Sequence, residues 1–446
     1  MKSAKRIMEF MQKMLPSPMS IAIILSFFIL VLAVIYKPTE ISYAKRTLHV
    51  LEYWNRGFWT LMEFTMQMIL ILVLGYVLAL SNGINRLIVR LVSLVNTNAK
   101  AAVVLSFATL FVSFFNWGLG LIFGAVFARK IAEYYAAQGL KVNYGLLGAA
   151  AYSGMMIWHG GLSGSAPLKI AEANHFLFDR IGQISLNDTI FSTMNLFASA
   201  LILTLVPLFF YVLASLSGSS EIQLMPREQG VKSDENNLVG AERLDLSRIF
   251  AYAFGALLLV IPLSEMFQNS NLNFINLNYI NLVLFALAIL MHGSIKKFLL
   301  ATQEAIGSST GILIQFPLYA GIMGMMKYSG LYILFTQFFI DISTQASFPF
   351  YTMLSAAIVN VFVPSGGGQW IVQGPIVVEA ALNLGVSIPK SVMALAYGDQ
   401  LTNMIQPFWA LPLLGITGLK AKDLFPFSSL LMVLGVLIFV ISLLLF

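Results

Sequence analysis

No cysteine occurs in the 446 residues. That absence removes disulfide frameworks, thiol nucleophiles and thiolate metal sites at once. Charge is nearly as scarce. Asp, Glu, Lys and Arg make up 10% of the chain, against about a quarter in soluble domains. Histidine occurs only as His49, His159, His175 and His292, and no spacing among them suits zinc. G-x-S-x-G elbows, H-E-x-x-H helices and Walker loops are missing, and no paired carboxylates mark a soluble catalytic pocket. Neither an enzyme nor a cofactor is expected.

What remains is apolar. The chain is 58% hydrophobic, with a mean hydropathy of +0.83. A helix needs about 20 apolar residues to cross the hydrocarbon core. Stretches 19–36, 58–80, 189–215, 249–268, 301–326 and 425–446 qualify. The chain therefore reads as an all-α polytopic protein of the lipid bilayer. Its net charge of +6 fits basic cytoplasmic loops and calls for no nucleic-acid partner. The N-terminal stretch is basic and then apolar, but no small-residue cleavage site follows it. A retained first helix is expected. Segment 217–248 mixes both charge signs with Gly, Ser, Asn and Pro, which is linker composition. It separates a first membrane repeat, 1–216, from 249–446, which is a bridging span plus a second, inverted repeat.

The repeat shows in a matched pair of polar breaks. Residues 151–170 read AYSGMMIWHGGLSGSAPLKI, and residues 396–415 read AYGDQLTNMIQPFWALPLLG. Aligned without a gap, they share Ala151-Tyr152 with Ala396-Tyr397, and Pro167 with Pro412. A second polar break precedes each: Ser113-Phe-Phe-Asn116-Trp-Gly-Leu-Gly120, and Pro364-Ser365-Gly-Gly-Gly-Gln369-Trp. Interrupted apolar segments at corresponding places in two halves point to the binding site of a secondary transporter.

Stretches 100–137 and 346–384 are apolar with a polar tip, and each is expected to form a re-entrant hairpin. Irregular backbone at membrane depth is tolerated only where it is buried or lines a cavity. Segments 83–95 and 330–342 suit helices at the membrane surface. The expected spans are 19–36, 58–80, 144–175 (broken), 189–215, 249–268, 274–291, 301–326, 389–418 (broken) and 425–446. With the N-terminus inside, more than twice as many of the 26 Lys and Arg residues fall inside as outside. Segment 37–57 fits least well, being basic and placed outside.

The three glycines after Ser365, namely Gly366, Gly367 and Gly368, disfavour a helix. They also let a ligand approach the main chain closely. A helix resuming at Gln369 would aim its N-terminal dipole and N–H groups at an anion. Asn116, Trp117 and Gly118 form the poorer partner tip, Asn116 offering both donor and acceptor. Asp399 stands in a polar run with Thr402, Asn403 and Gln406. A carboxylate inside a membrane is costly and marks function by default. It suits a coupling role, carrying a proton or holding Na⁺ with Thr402 nearby; no other metal is expected. In the first break His159, Gly160, Gly161 and Ser163 take the matching place, and His159 titrates near neutrality when unperturbed. Glu63, Glu265, Glu304 and Glu379 are expected at interfaces.

Val363-Pro-Ser-Gly-Gly-Gly-Gln-Trp370, Gln373-Gly-Pro375 and Ala396-Tyr-Gly-Asp-Gln-Leu-Thr-Asn-Met-Ile-Gln-Pro-Phe-Trp409 closely resemble the bacterial short-chain fatty acid transporter family, the acetoacetate/butyrate permease group. The first-half tip and the His159-Gly-Gly161 break fit it too. The resemblance implies an ion-coupled carrier of inverted-repeat, hairpin-containing architecture in the bacterial inner membrane. It implies small monocarboxylates as substrate, with H⁺ or Na⁺ as the coupling cation, and leaves a homodimer open. Two rivals remain: a cation/proton antiporter or dicarboxylate carrier of the same architecture, and, further off, an integral-membrane enzyme.

Overall fold

The computed structural model describes residues 16–36, 42–83, 86, 90, 92, 95–173, 175–218, 240–268, 274, 277–364 and 366–446. Their regular elements are helices. Most of the 217–248 linker, most of the 83–95 segment, and Ser365 lie outside the described residues.

Among the described residues, five helices are long and apolar enough to cross a bilayer alone: Pro18–Tyr36, Asn98–Phe115, Thr193–Leu216, Arg248–Gln268 and Ala421–Leu445. Two further crossings are bent pairs. Tyr43–Thr60 meets the next helix at 41°, and Ile295–Ile306 meets Thr310–Ser329 at 55°. Leu277–His292 is apolar but only 16 residues long. The same order of elements runs through each half: a helix, a bent pair, two helices joined at a polar tip, a broken span and a long closing helix.

Segment 37–57, basic yet placed outside, contains most of a helix of 18 residues, Tyr43–Thr60. Its polar face carries Lys45, Arg46, Glu52 and Arg56, so no window of it reads as apolar. Its other face packs on Thr310–Ser329. A Cβ on Gly57 would lie 2.6 Å from Gly324 Cα, and Trp54 covers Gly321. Small residues let two helix backbones approach this closely where lipid supplies no hydrophobic drive. In the first expected hairpin the leading helix, Asn98–Phe115, is by itself long enough to span, and the break at its end is the single residue Asn116.

The broken spans are as irregular as their sequences. In the first, Tyr144–Tyr152 gives way to short tight turns at Ser153–Met156 and Trp158–Gly160, then an extended Gly161, before Ser165–Ile170 resumes. In the second, Ile388–Thr402 passes through a turn at Asn403–Ile405 and an extended Gln406 into Pro407–Thr417. Proline at the start of that last helix costs nothing, since its missing N–H would have no partner there.

Candidate functional site

The two breaks meet in the interior. The His159 N–H donates to Gln400 Oε1 at 2.8 Å, and His159 Nε2 lies 3.1 Å from Asp399 Oδ1. Both side chains are buried, at 1% exposure each. The Ser165 N–H donates to His159 Nδ1 at 3.2 Å. A ring nitrogen that accepts cannot carry the proton, so the proton sits on Nε2 and points at Asp399. In this arrangement Nε2 is the donor to the carboxylate. Asp399 Oδ2 is buried and has no hydrogen-bond partner. An ionised carboxylate left half-satisfied in a dry interior is costly, and a cation or proton relieves it.

Aromatic rings wall this pair on one side. Trp158 stacks on His159 at 4.2 Å and on Trp117 at 4.4 Å. Trp409, from the second break, meets Trp158 edge-on at 4.8 Å. Below the pair, Asn360 braces the second break. Its Nδ2 group donates to Asp399 O at 2.8 Å, Asn403 Oδ1 at 2.8 Å and Thr402 Oγ1 at 3.0 Å. Gln406 Nε2 in turn donates to the Asn360 and Val361 carbonyls at 3.1 and 2.9 Å. Asn360 Oδ1, Gln400 Nε2, Asn403 Nδ2 and Gln406 Oε1 are buried without partners. So many orphaned polar atoms on neighbouring residues call for a ligand, an ion or ordered water.

The glycine tip closes the other side. Helix Gly366–Leu384 begins on the glycines themselves. A Cβ on Gly366 would collide with the His159 ring, whereas one on Gly367 would meet nothing within 4 Å. One glycine therefore seats the tip against His159, and its neighbour faces open space. Gln369 turns away from the pair. Its Nε2 donates to Ala356 O at 2.8 Å and to Gln373 Oε1 at 2.7 Å, inside the hairpin.

The first tip is held from within the protein. Asn116 Oδ1 accepts the Leu119 N–H at 3.0 Å, and Ser163 Oγ accepts the Trp117 N–H at 3.0 Å. Helix Trp117–Ala137 is thus capped by the protein's own side chains. Gly118 packs by Ile71, Gly160 by Asn195 and Gly161 by the Phe114 carbonyl. These residues serve close packing in this arrangement, while His159, Gly366, Gly367, Asp399, Thr402, Asn403 and Gln406 converge. Glu379 and Arg180 form an exposed pair at 3.3 Å, and Glu63 is exposed.

The paired tyrosines of the two breaks cross over. Tyr152 OH donates to the Asn403 carbonyl at 2.6 Å. Tyr397 OH donates to Asn195 Oδ1 at 3.0 Å, and Asn195 Nδ2 donates to the Gly160 carbonyl at 2.8 Å. Removing one hydroxyl leaves a buried acceptor short of a partner. Tyr152→Phe is expected to cost about 1–3 kcal/mol of stability, read as a lower midpoint of thermal unfolding in detergent. An unchanged midpoint would show that the bond adds nothing.

Sequence reasoning missed Asn360, Asn195 and Gln400. Asn360 carried a usable signal, a lone amide in an apolar helix one turn before the Pro364 tip. Asn195 carried little, because it follows a helix start where Asn is common.

Comparison with known proteins agrees along the whole chain. Residues 1–446 match the family described as short chain fatty acid transporter. A protein of Escherichia coli K12, provisionally named a short-chain fatty acid transporter, is 37% identical over 98% of each chain. One of Haemophilus influenzae with the same provisional name is 36% identical over 97% of each. Among solved structures, the YdaH transporter of Alcanivorax borkumensis aligns with a TM-score of 0.43 and 15% identity, over 96% of this chain and 97% of that one. On its full-length family match and the two curated relatives, this chain belongs to the short chain fatty acid transporter family, as a multi-pass membrane transporter and not an enzyme.

Proposed function

We propose that this protein is a secondary active transporter that takes up short-chain fatty acids, such as butyrate or acetoacetate, with H⁺ or Na⁺ across the bacterial cytoplasmic membrane. The observation that carries the reading is Asp399, whose buried Oδ2 lacks a partner beside the glycine tip. A substrate carboxylate fits beside Gly367 at the N-terminus of Gly366–Leu384, where the helix dipole favours an anion. A second negative charge near Asp399 is tolerable only if a cation arrives with it. Anion and cation then raise each other's affinity, and that reciprocal linkage is what coupling requires. His159 keeps Asp399 Oδ1 occupied, so the incoming cation or proton is directed to Oδ2.

The alkyl chain belongs among the Trp117, Trp158 and Trp409 rings, which offer apolar faces next to the pair. A proteoliposome assay tests the reading. Butyrate should accumulate under an inward Na⁺ or proton gradient and should not be displaced by succinate. Uptake indifferent to both gradients would overturn it.

The same reading makes 1–216 a first membrane repeat, 217–248 a cytoplasmic linker, and 249–446 a bridging span plus a second, inverted repeat. The natural absence of cysteine makes this easy to check. Single cysteines replacing Ser3, Ser233 and Phe446 should react with an impermeant reagent from outside only at Phe446. Outside labelling at Ser233 would reject the arrangement.

A further inference from the structure

A cavity of about 580 Å³ lies apart from the His159–Asp399 pair. Small-molecule sites typically enclose about 300–1,000 Å³. Its walls include Gly311 and Gln315 of helix Thr310–Ser329, Leu411 and Leu414 of Pro407–Thr417, and Lys420 and Lys422 at the foot of the last helix. Among the described residues, the lining holds two ammonium groups and no carboxylate. Asp423, close by, turns its Oδ2 back onto the Lys420 N–H at 3.0 Å. Most of the remaining wall is Leu, Gly and Pro. Positive charge at the mouth with apolar walls behind it suits a carboxylate bearing a short alkyl chain.

Followed inward along these two helices, the walls close. Phe316, next to Gln315, stacks on Phe408 with centroids 3.7 Å apart. Phe408 sits about one helical turn from Leu411. Both rings are fully buried. From there Phe408 meets Trp409 at 4.8 Å, Trp409 meets Trp158 at 4.8 Å, and Trp158 stacks on His159 at 4.2 Å. A chain of aromatic contacts runs from the inner end of the cavity to the buried pair.

We infer that this cavity is a vestibule through which the carboxylate passes between the buried site and the membrane side carrying Lys420 and Lys422, and that the Phe316–Phe408 stack is its gate. The inference rests on the transport reading above for the identity of the passenger. The lysines raise the local concentration of anions. The rings must part for each passage, so the gap they leave limits the length of chain admitted.

Two experiments test it, and the first needs no transport. Leu414→Cys, in the naturally cysteine-free chain, is treated in permeabilised membranes with an anionic and a cationic methanethiosulfonate. The anionic reagent should react several-fold faster, and Lys420→Gln with Lys422→Gln should erase the difference. No reaction at Leu414→Cys, or no charge preference, overturns the vestibule whether or not butyrate is carried. The second experiment reads the gate. Phe408→Ala should raise hexanoate uptake relative to butyrate by about tenfold, the scale set by a change of methylene fit. Phe408→Leu, which keeps bulk but loses the stack, decides the matter if the alanine variant does not fold. An unchanged chain-length profile in a folded variant overturns the gate. Loss of all carboxylate uptake by the unmodified protein, with charge-selective labelling intact, would instead overturn the choice of passenger.

Discussion

Asp399→Asn is expected to abolish gradient-driven accumulation while exchange of substrate across the membrane persists. Asparagine keeps an oxygen for the His159 Nε2 proton, now 3.1 Å from Oδ1, and nearly the same volume. What it removes is the charge that a cation or proton must answer. The buried orphan Oδ2 becomes an amide that needs no counter-ion. Without the need for a cation, binding of the anion no longer depends on the ion gradient. The internal concentration should then stop rising once it equals the external one, whatever gradient is imposed. Binding at the glycine tip does not use the Asp399 charge, so counterflow of labelled substrate should continue. Full concentrative uptake by Asp399→Asn would reject the coupling role and turn attention to His159 and Glu63.

The second large effect separates two adjacent glycines. A Cβ on Gly366 collides with the His159 ring. That ring cannot step aside cheaply, being held by Asp399, by the Ser165 N–H and by Trp158. Overpacking of this kind costs about 1–3 kcal/mol or more. Gly366→Val should therefore lower the yield of folded protein. Gly367 faces open space, so Gly367→Val should insert and fold. Its side chain fills the approach to the first helical turn, and uptake should be lost all the same. Wild-type kinetics in Gly367→Val would mean that nothing has to reach the tip there. A well-folded Gly366→Val would mean that the tip does not seat against His159.

Much of the fold was legible because hydrocarbon imposes length and apolarity. The long spans, the broken spans and the two tips all follow from that rule. The rule fails where a helix is amphipathic. Tyr43–Thr60 hid because Lys45, Arg46, Glu52 and Arg56 break every apolar window, although Gly57 and Trp54 face a partner helix. In the site, Asp399 and the glycines stood out as expensive residues in an apolar setting. The capping contacts of Asn116 and Ser163 did not. Asn116 and Ser163 look like ligand groups in sequence, yet each caps the chain's own backbone. Only the direction of a side chain distinguishes a cap from a contact, and one-dimensional spacing does not encode it. Asn360 and Asn195 matter through partners far along the chain, Asp399 and Gly160.

The crossed tyrosines bear on how the molecule can move. Tyr152 holds the break of the second half, and Tyr397, through Asn195, holds the break of the first. A part that moves alone must first let go of its neighbours. Here letting go would strand buried polar groups at a depth where no bulk water replaces their partners. The two breaks are therefore tied into one piece, and tilting either drags the other. Flexing falls to joints outside the tie where helix continuity is already interrupted, such as Leu61 and Gly307–Ser309. The two breaks then shift as a stiff block within a jointed frame.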